Sequence, residues 1–142
     1  MSADAFAVAA IVAVLLPTLY FLIASPTFLL AKFEDPVVTW LWRGLFSVHF
    51  RLVSIGSVVG IVAFAIAGRP VFALGLAAIA ALAITMRRWF LRTMDAELFA
   101  RDAGDALAVR RLRKLHWRGM AYNAMQFAAI VAMTPLVFAV PG

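Results

Sequence analysis

Long runs without a charged residue alternate along this chain with short charged segments. The charge-free runs cover residues 5–31, 52–68, 70–86 and 119–142. About 20 apolar residues in a helix cross the roughly 30 Å hydrocarbon layer of a membrane. The two middle runs can be lengthened through flanking apolar positions whose arginines reach the headgroups. The pattern therefore predicts four membrane-spanning helices, over about 5–31, 38–67, 70–91 and 115–140.

Short turn signals separate the predicted helices. Gly68 and Pro70 mark a tight turn, because glycine commonly ends a helix and proline opens one. The polar segment 87–118 is rich in helix formers and is interrupted only near Gly104 and Asp105, which suit a helix C-cap and N-cap. We expect a single domain over 1–142. Its predicted fold is an all-α, up-down four-helix bundle with a cytoplasmic hairpin extension of helices three and four.

Composition supports a membrane protein. Apolar residues make up 65% of the chain and charged residues 14%, against roughly 45–50% and about 25% in an average soluble domain. The first apolar run is preceded by only one charged residue, Asp4, rather than by a basic segment, so we expect it to be retained as a span. Cysteine is absent, which excludes disulfides and thiolate metal sites.

Basic residues predict the orientation, because cytoplasmic loops are enriched in lysine and arginine. One predicted side carries Lys32, Arg43, Arg51, Arg87, Arg88, Arg92, Arg101, Arg110, Arg111, Arg113, Lys114 and Arg118. The other side carries only Arg69. We therefore expect these basic loops in the cytoplasm and both termini outside it. Tryptophan prefers the water–lipid boundary, and all four tryptophans fall at the predicted cytoplasmic interface.

Two histidines are candidate cofactor ligands. His49 and His116 each lie three residues before the charge-free part of a helix that runs outward from the cytoplasm, so similar depths are expected. Two imidazoles at one level could hold the iron of a b-type haem, or a metal ion. The alternative is that each histidine forms a local hydrogen bond. No cysteine or membrane carboxylate accompanies the pair, so no separate metal site is predicted.

The start of the fourth span is the most polar stretch inside a predicted span. His116, Asn123 and Gln126 share one helical face, and Tyr122 lies four residues before Gln126. Amides are costly in hydrocarbon, so this face should point into the bundle. Candidate partners on the first two helices are Thr18, Tyr20, Ser54 and Ser57. The face either fixes helix packing through hydrogen bonds or lines a ligand path.

Gly56 and Gly60 are spaced so that another helix could approach closely, although such a spacing also arises by chance in spans rich in small residues.

The basic segment and the tryptophans form a predicted contact surface for lipid or a partner. Its residues are Arg110, Arg111, Arg113, Lys114, Arg118, Trp40, Trp42, Trp89 and Trp117. Positive-inside bias accounts for the pI of about 11.1, and no motif that reads nucleic acid accompanies it. The chain has no phosphate-binding glycine loop and no Ser–His–Asp arrangement, so no catalytic residue is predicted and enzymatic function is unsupported.

The segment Leu45–Leu52, together with Leu115, His116, Asn123 and Gln126, resembles a bacterial domain-of-unknown-function family of small four-helix membrane proteins. That family is related to the transmembrane protein 205 family of eukaryotes. The likeness extends over nearly the whole chain in its layout. It implies the same membrane fold and a place in the bacterial inner membrane.

Three functional hypotheses follow. The leading one is a non-enzymatic inner-membrane accessory or scaffold protein that binds anionic lipid or a membrane partner, including a second copy of itself. The first alternative is a b-type haem electron-transfer module with His49 and His116 as axial ligands. The second alternative is a transporter of a small solute or metal that acts as an oligomer and uses the Tyr122, Asn123 and Gln126 face.

Overall fold

The computed structural model describes residues 3–139 as four long helices. They are α1 (Ala3–Ala24), α2 (Pro36–Ile66), α3 (Pro70–Asp102) and α4 (Ala108–Ala139), with a 3-10 helix (Ser25–Leu29) after α1. Each helix packs against the next along the chain, and α4 closes the bundle against α1. The all-α four-helix prediction is confirmed, and four helices are long and apolar enough to cross a membrane. Both termini and the predicted end of the fourth span, residue 140, lie outside the described residues.

The turns form where local sequence chemistry predicts them. The Asp35 side chain caps α2 by accepting a hydrogen bond from the backbone N–H of Val37, and Pro36 occupies the first turn. At the other end of α2, Gly68 has φ +71°, a backbone conformation that glycine adopts without strain. Pro70 then opens α3. We call the end of the bundle that contains Gly68 the apolar end.

The opposite end is called the basic end and includes the tip that joins α3 to α4. Gly104 has φ +91° there, and the Asp105 carboxylate accepts a hydrogen bond from the Leu107 N–H at 2.8 Å. Arg111 also donates to Asp105, at 2.6 Å. The Arg111 hydrogen bond, followed by that from Leu107, holds the pKa of Asp105 below its ordinary value. Gly104 ends α3 as predicted, whereas α4 begins only at Ala108, so Asp105 caps the turn before that helix rather than the helix itself.

The first charge-free run is not a single straight helix. Regular α-helix ends at Ala24, since Pro26 has no N–H to donate and its ring clashes with the preceding turn. The chain then crosses the basic end, where Phe33 is buried 4.8 Å from Trp42 between ring centroids. The Arg113 guanidinium lies 5.4 Å from the centroid of the Phe33 ring. The first candidate span therefore continues through the 3-10 helix to Leu29, and Phe33, beyond it, covers the end of the bundle.

Two hydrophobic cores are stacked along the bundle. The core at the basic end is mainly aromatic and contains Phe21, Phe33, Trp42, Phe46, Phe50, Val53, Ala83, Phe90, Met94, Leu112 and Leu115. The core at the apolar end consists mostly of small and aliphatic residues, namely Ala7, Ala10, Val14, Ala63, Phe64, Ala73, Leu76, Ile130 and Val137. Large rings thus fill the end where the helices carry charges on their outer faces.

Close helix approach occurs at Gly56 and Gly60. A Cβ added at Gly56 would collide with the backbone carbonyl of Ala13 on α1, and one at Gly60 would collide with the Leu76 side chain. Residue 17 is a proline, so the Ala13 carbonyl has no N–H four residues on to bind. The close approach suggested by the spacing of these glycines is present in the fold.

A charge-free layer separates the two ends of the bundle. Residues 52–68, between Arg51 and Arg69, contain 17 positions without charge, which correspond to about 26 Å of helix at 1.5 Å per residue. This thickness is close to the roughly 30 Å of a bilayer's hydrocarbon. At the apolar end Arg69 is buried and donates to the backbone carbonyl of Val137, near the C-terminus of α4.

Candidate functional site at the basic end

His116 lies in the aromatic core and is fully buried. The Trp42 indole N–H donates a hydrogen bond of 2.7 Å to its Nδ1. Because Nδ1 accepts, a neutral ring carries its proton on Nε2. Nε2 is buried without a well-formed hydrogen bond, although the Ser25 backbone lies beside the ring. This histidine is therefore held by an indole and surrounded by rings.

His49 is also buried but has different neighbours. Its Nδ1 lies 3.3 Å from the backbone carbonyl of Pro17, to which it donates. The ring of Phe21 lies beside it at 4.3 Å between centroids. Its Nε2 is buried with no hydrogen-bond partner among residues 3–139. Each histidine thus has one nitrogen engaged within the fold.

The structure does not bring the two histidines to one level. His116 binds Trp42, which precedes His49 by seven residues on α2, or about 10 Å along the helix. Phe21 and Phe46 lie between them, in ring contact with each other at 4.7 Å. Counting from the charge-free runs suggested equal depth, but the hydrogen bond places the His116 ring beside Trp42, about two helical turns before His49 on α2. The geometry favours the interpretation that each histidine forms its own hydrogen bond.

The polar face of α4 points into the bundle. Asn123 is fully buried and its Nδ2 donates to the Thr18 backbone carbonyl at 3.0 Å. Gln126 is buried one turn further along, and the half-buried Tyr122 has its ring 6.0 Å from that of Phe50. Asn123 Oδ1, the Gln126 amide and the Tyr122 hydroxyl are buried without a hydrogen-bond partner in the described part of the chain.

The expected side-chain partners of this face have other roles. Tyr20 is exposed, and the Ser54 hydroxyl donates to the Phe50 carbonyl of its own helix. Ser57 is buried with its hydroxyl unpaired in the described structure. Only Thr18 contributes to the face, and it does so through its backbone. Over residues 3–139, no group of three or more His, Cys, Asp or Glu residues could hold a metal ion.

Ion pairs at the basic end involve every acidic side chain of the α3–α4 hairpin. Arg43 of α2 holds Asp95 of α3 through two hydrogen bonds, of 2.6 and 2.9 Å. Arg111 binds Glu97 at 2.7 Å as well as Asp105. Arg101 pairs with Asp102 and also donates to the Phe33 carbonyl and the Thr39 hydroxyl. These pairs connect α2, α3, α4 and the segment before α2.

The basic residues of the predicted contact surface fall into two groups, those with an internal partner and those without one. Arg111 is occupied by carboxylates, and Arg113 donates to the Leu29 and Ala31 carbonyls at 3.3 and 3.4 Å. In contrast, Arg110, Lys114 and Arg118 are exposed and have no partner within the described residues. We call these three residues the free tip cations. They remain available for an external ligand.

Three of the four tryptophans assigned to the contact surface are exposed, and the fourth is not. Trp40, Trp89 and Trp117 are 72%, 44% and 58% exposed, so they can contact lipid or a partner. Trp42 was predicted to do the same but is fully buried, because its indole binds His116 inside the aromatic core. Trp42 lies two residues after Trp40, so the two side chains point to different sides of α2.

Sequence reasoning missed a cleft between α2 and α3. Arg51, Arg87 and Arg88 line it together with Ser54, and the Arg87 guanidinium donates to the Ser47 hydroxyl at 3.3 Å. The sequence did contain an indication of this cleft, because Arg51 and Arg87 each border a charge-free run of the hairpin formed by α2 and α3. Pairing the two helices about the Gly68 turn would have brought these arginines opposite each other.

No protein-family model, curated protein or solved structure matches this chain.

Proposed function

We propose that this chain is a non-enzymatic multi-pass protein of the bacterial inner membrane that acts as an accessory or scaffold component. Its basic end would lie in the cytoplasm and bind anionic lipid headgroups, while its apolar faces contact lipid or a membrane partner. The main observation behind this proposal is that every acidic side chain of the α3–α4 hairpin forms an ion pair with an arginine of the same chain. The exposed basic side chains at this end therefore have no neutralising partner within the described structure.

The distribution of charge supports this proposal. Exposed basic residues without an internal partner are Lys32, Arg51, Arg88, Arg92, Arg110, Lys114 and Arg118. All lie at the basic end or at its boundary with the charge-free layer. Near an anionic membrane surface each such residue contributes about 1 kcal/mol of attraction. Exposed Trp40, Trp89 and Trp117 are suited to the same interface.

Contacts between different elements at the basic end support the proposed scaffold role. Arg43 ties α2 to α3, while Arg101 ties α3 to the segment before α2. Arg113 attaches α4 to the same segment. Exposed ion pairs are individually weak, but these connect different elements around a buried aromatic core. The exposed cations therefore lie on helices that are connected to one another by these contacts.

Lipid preference of the purified protein tests the proposal. In detergent, phosphatidylglycerol and phosphatidylcholine would compete for the protein, and bound lipid would be measured by native mass spectrometry at low salt. We expect a preference for phosphatidylglycerol that weakens as salt screens the charges. The variant Arg110→Gln/Lys114→Gln/Arg118→Gln should reduce the preference without disturbing an internal contact.

A charge-preserving control separates charge from structure. Arg110→Lys/Arg118→Lys should retain the preference of the natural chain, because both positions remain cationic. Equal uptake of the two lipids by the natural chain at low salt would reject the proposal.

A further inference from the structure

We propose that the cleft lined by Arg51, Arg87 and Arg88 is a specific binding site for the phosphate group of an anionic membrane lipid. This inference rests on the proposed function, because it assigns one defined lipid site within the basic end. It differs from diffuse attraction to the free tip cations in its location on α2 and α3 and in its expected resistance to salt.

The cleft is large enough for a phosphate group and is lined by cationic side chains. Its volume is about 250 Å³, and its walls are Arg51 and Ser54 of α2 and Arg87 and Arg88 of α3, with Ile55 and Ile84. Arg51 and Arg88 are exposed and make no contact to a partner in the described structure. Arg87 is partly buried, and its Nε has no hydrogen-bond partner there. Guanidinium donors are therefore available on both walls.

The positive charge of the three arginines favours binding of an anion in this cleft. Three guanidinium groups around one small space repel one another, and water screens this repulsion least at Arg87, the partly buried member. No carboxylate lines the cleft. The hairpin acids are held by Arg43, Arg101 and Arg111, and Asp35 caps α2 some 16 positions before Arg51. A bound phosphate would supply the missing negative charge.

The position of the cleft favours a lipid over a soluble phosphate. Arg51 is the last charged residue of α2 before the charge-free layer, and Arg87 is the first of α3 after it. Ile55 and Ile84 lie on the charge-free side of these arginines. A lipid phosphate held by the arginines would leave its acyl chains to run along Ile55 and Ile84. A soluble phosphate offers the same charge but nothing to cover the two isoleucines.

Arginine is chemically suited to this task. Its planar guanidinium can form two parallel hydrogen bonds with phosphate oxygens, whereas lysine acts as a point charge. The Ser54 hydroxyl donates to the Phe50 carbonyl, so it can still accept but not donate. Specific recognition would therefore come from the guanidinium groups.

The test uses the full chain in detergent and measures phosphatidylglycerol retained at high salt. At 1 M salt the screening length falls to about 3 Å, so diffuse attraction is lost while a hydrogen-bonded site persists. The natural chain should retain phosphatidylglycerol over phosphatidylcholine. Arg51→Gln/Arg88→Gln should weaken retention at least ~10-fold, since charge-assisted hydrogen bonds are among the strong ones.

Matched variants control for charge and folding. Arg110→Gln/Arg118→Gln removes the same charge from the free tip cations and should leave high-salt retention unchanged. Arg51→Lys/Arg88→Lys keeps the charge of the cleft and should restore retention only in part. Helix content and monodisperse elution establish folding, and Arg88→Gln alone carries the same expectation if the double variant does not fold.

The outcomes separate this inference from the proposed function. Unchanged high-salt retention in Arg51→Gln/Arg88→Gln would overturn the cleft, even if low-salt preference still depends on the free tip cations. Loss of high-salt retention only in the cleft variant would support it. If inorganic phosphate raises the melting temperature as much as phosphatidylglycerol does, and only with the cleft intact, the assignment to lipid would be overturned in favour of a soluble phosphate.

Discussion

Trp42 and His116 form a hydrogen bond across the diagonal of the bundle, with 2.7 Å between Nε1 and Nδ1. The helices that carry them, α2 and α4, are not neighbours in the ring of helices, which runs α1, α2, α3, α4 and back to α1. The bond therefore joins opposite corners of the basic end. Phe33 and Phe46 enclose it, so water cannot easily replace either partner.

Replacing Trp42 with phenylalanine should destabilise the protein. The substitution retains an aromatic ring but leaves the His116 Nδ1 buried without a donor, which costs about 1–3 kcal/mol. Unfolding in detergent, followed by circular dichroism, measures this change. Trp40→Phe is the matched control, because Trp40 is exposed, and it should alter stability by less than about 0.5 kcal/mol. Equal stability losses in the two variants would show that the hydrogen bond contributes nothing.

The absorption spectrum tests whether the histidines bind haem. Because they lie at different levels with Phe21 and Phe46 between them, we expect no Soret band that depends on both histidines, even after expression with ample haem. His116→Ala should instead lower the melting temperature, since it removes the acceptor of Trp42. A Soret band stoichiometric with the chain, and lost in both His49→Ala and His116→Ala, would make the haem alternative the leading hypothesis.

Gly119→Ala should be destabilising although it replaces glycine within a helix. A Cβ at this position would collide with the rings of Phe46 and Phe90, which are themselves buried. Overpacking of this kind costs about 1–3 kcal/mol. Gly44→Ala is the matched control, since no atom lies within 4 Å of its added Cβ. It should be neutral or stabilising, and the same result for Gly119→Ala would contradict the packing described at that position.

The orientation of the basic end can be measured with one engineered cysteine, because the chain has none. Ala106 is exposed at the tip between α3 and α4. Ala106→Cys should react with a membrane-impermeant maleimide in inside-out vesicles and remain unlabelled in intact spheroplasts. Labelling from the periplasmic side of spheroplasts would reverse the predicted topology. Solubilised protein provides the control for intrinsic reactivity.

The tip should respond to acid through Asp105. Hydrogen bonds from Arg111 and Leu107 lower its pKa in the folded protein, so its stabilising contribution is present above the unfolded value and is lost as pH falls through the folded pKa. Carboxyl carbon NMR shifts should report a pKa below about 3.9, the ordinary value of aspartate. Arg111→Gln should raise it toward that value, whereas Arg110→Gln should not. An unchanged pKa in Arg111→Gln would contradict the ion pair.

The sequence by itself determined the elements and their boundaries where local chemistry decides. The charge-free runs predict four helices that are long enough to span a membrane. This prediction needs no tertiary information, because an apolar side chain is removed from water whichever neighbour covers it. Gly68 and Gly104 end helices because both require positive φ, and Pro36 and Pro70 open helices because their φ is already set. The inward direction of Asn123 and Gln126 also follows from their polarity.

Only the tertiary structure decided which residues meet, since this depends on the rotation and height of each helix and not on spacing along the chain. It placed His116 beside Trp42 rather than level with His49, and it buried one tryptophan that the sequence assigned to the surface. It separated Arg111, which is occupied by carboxylates, from its free neighbour Arg110. It also brought Arg51 and Arg87 to one cleft, although 36 positions separate them in the chain.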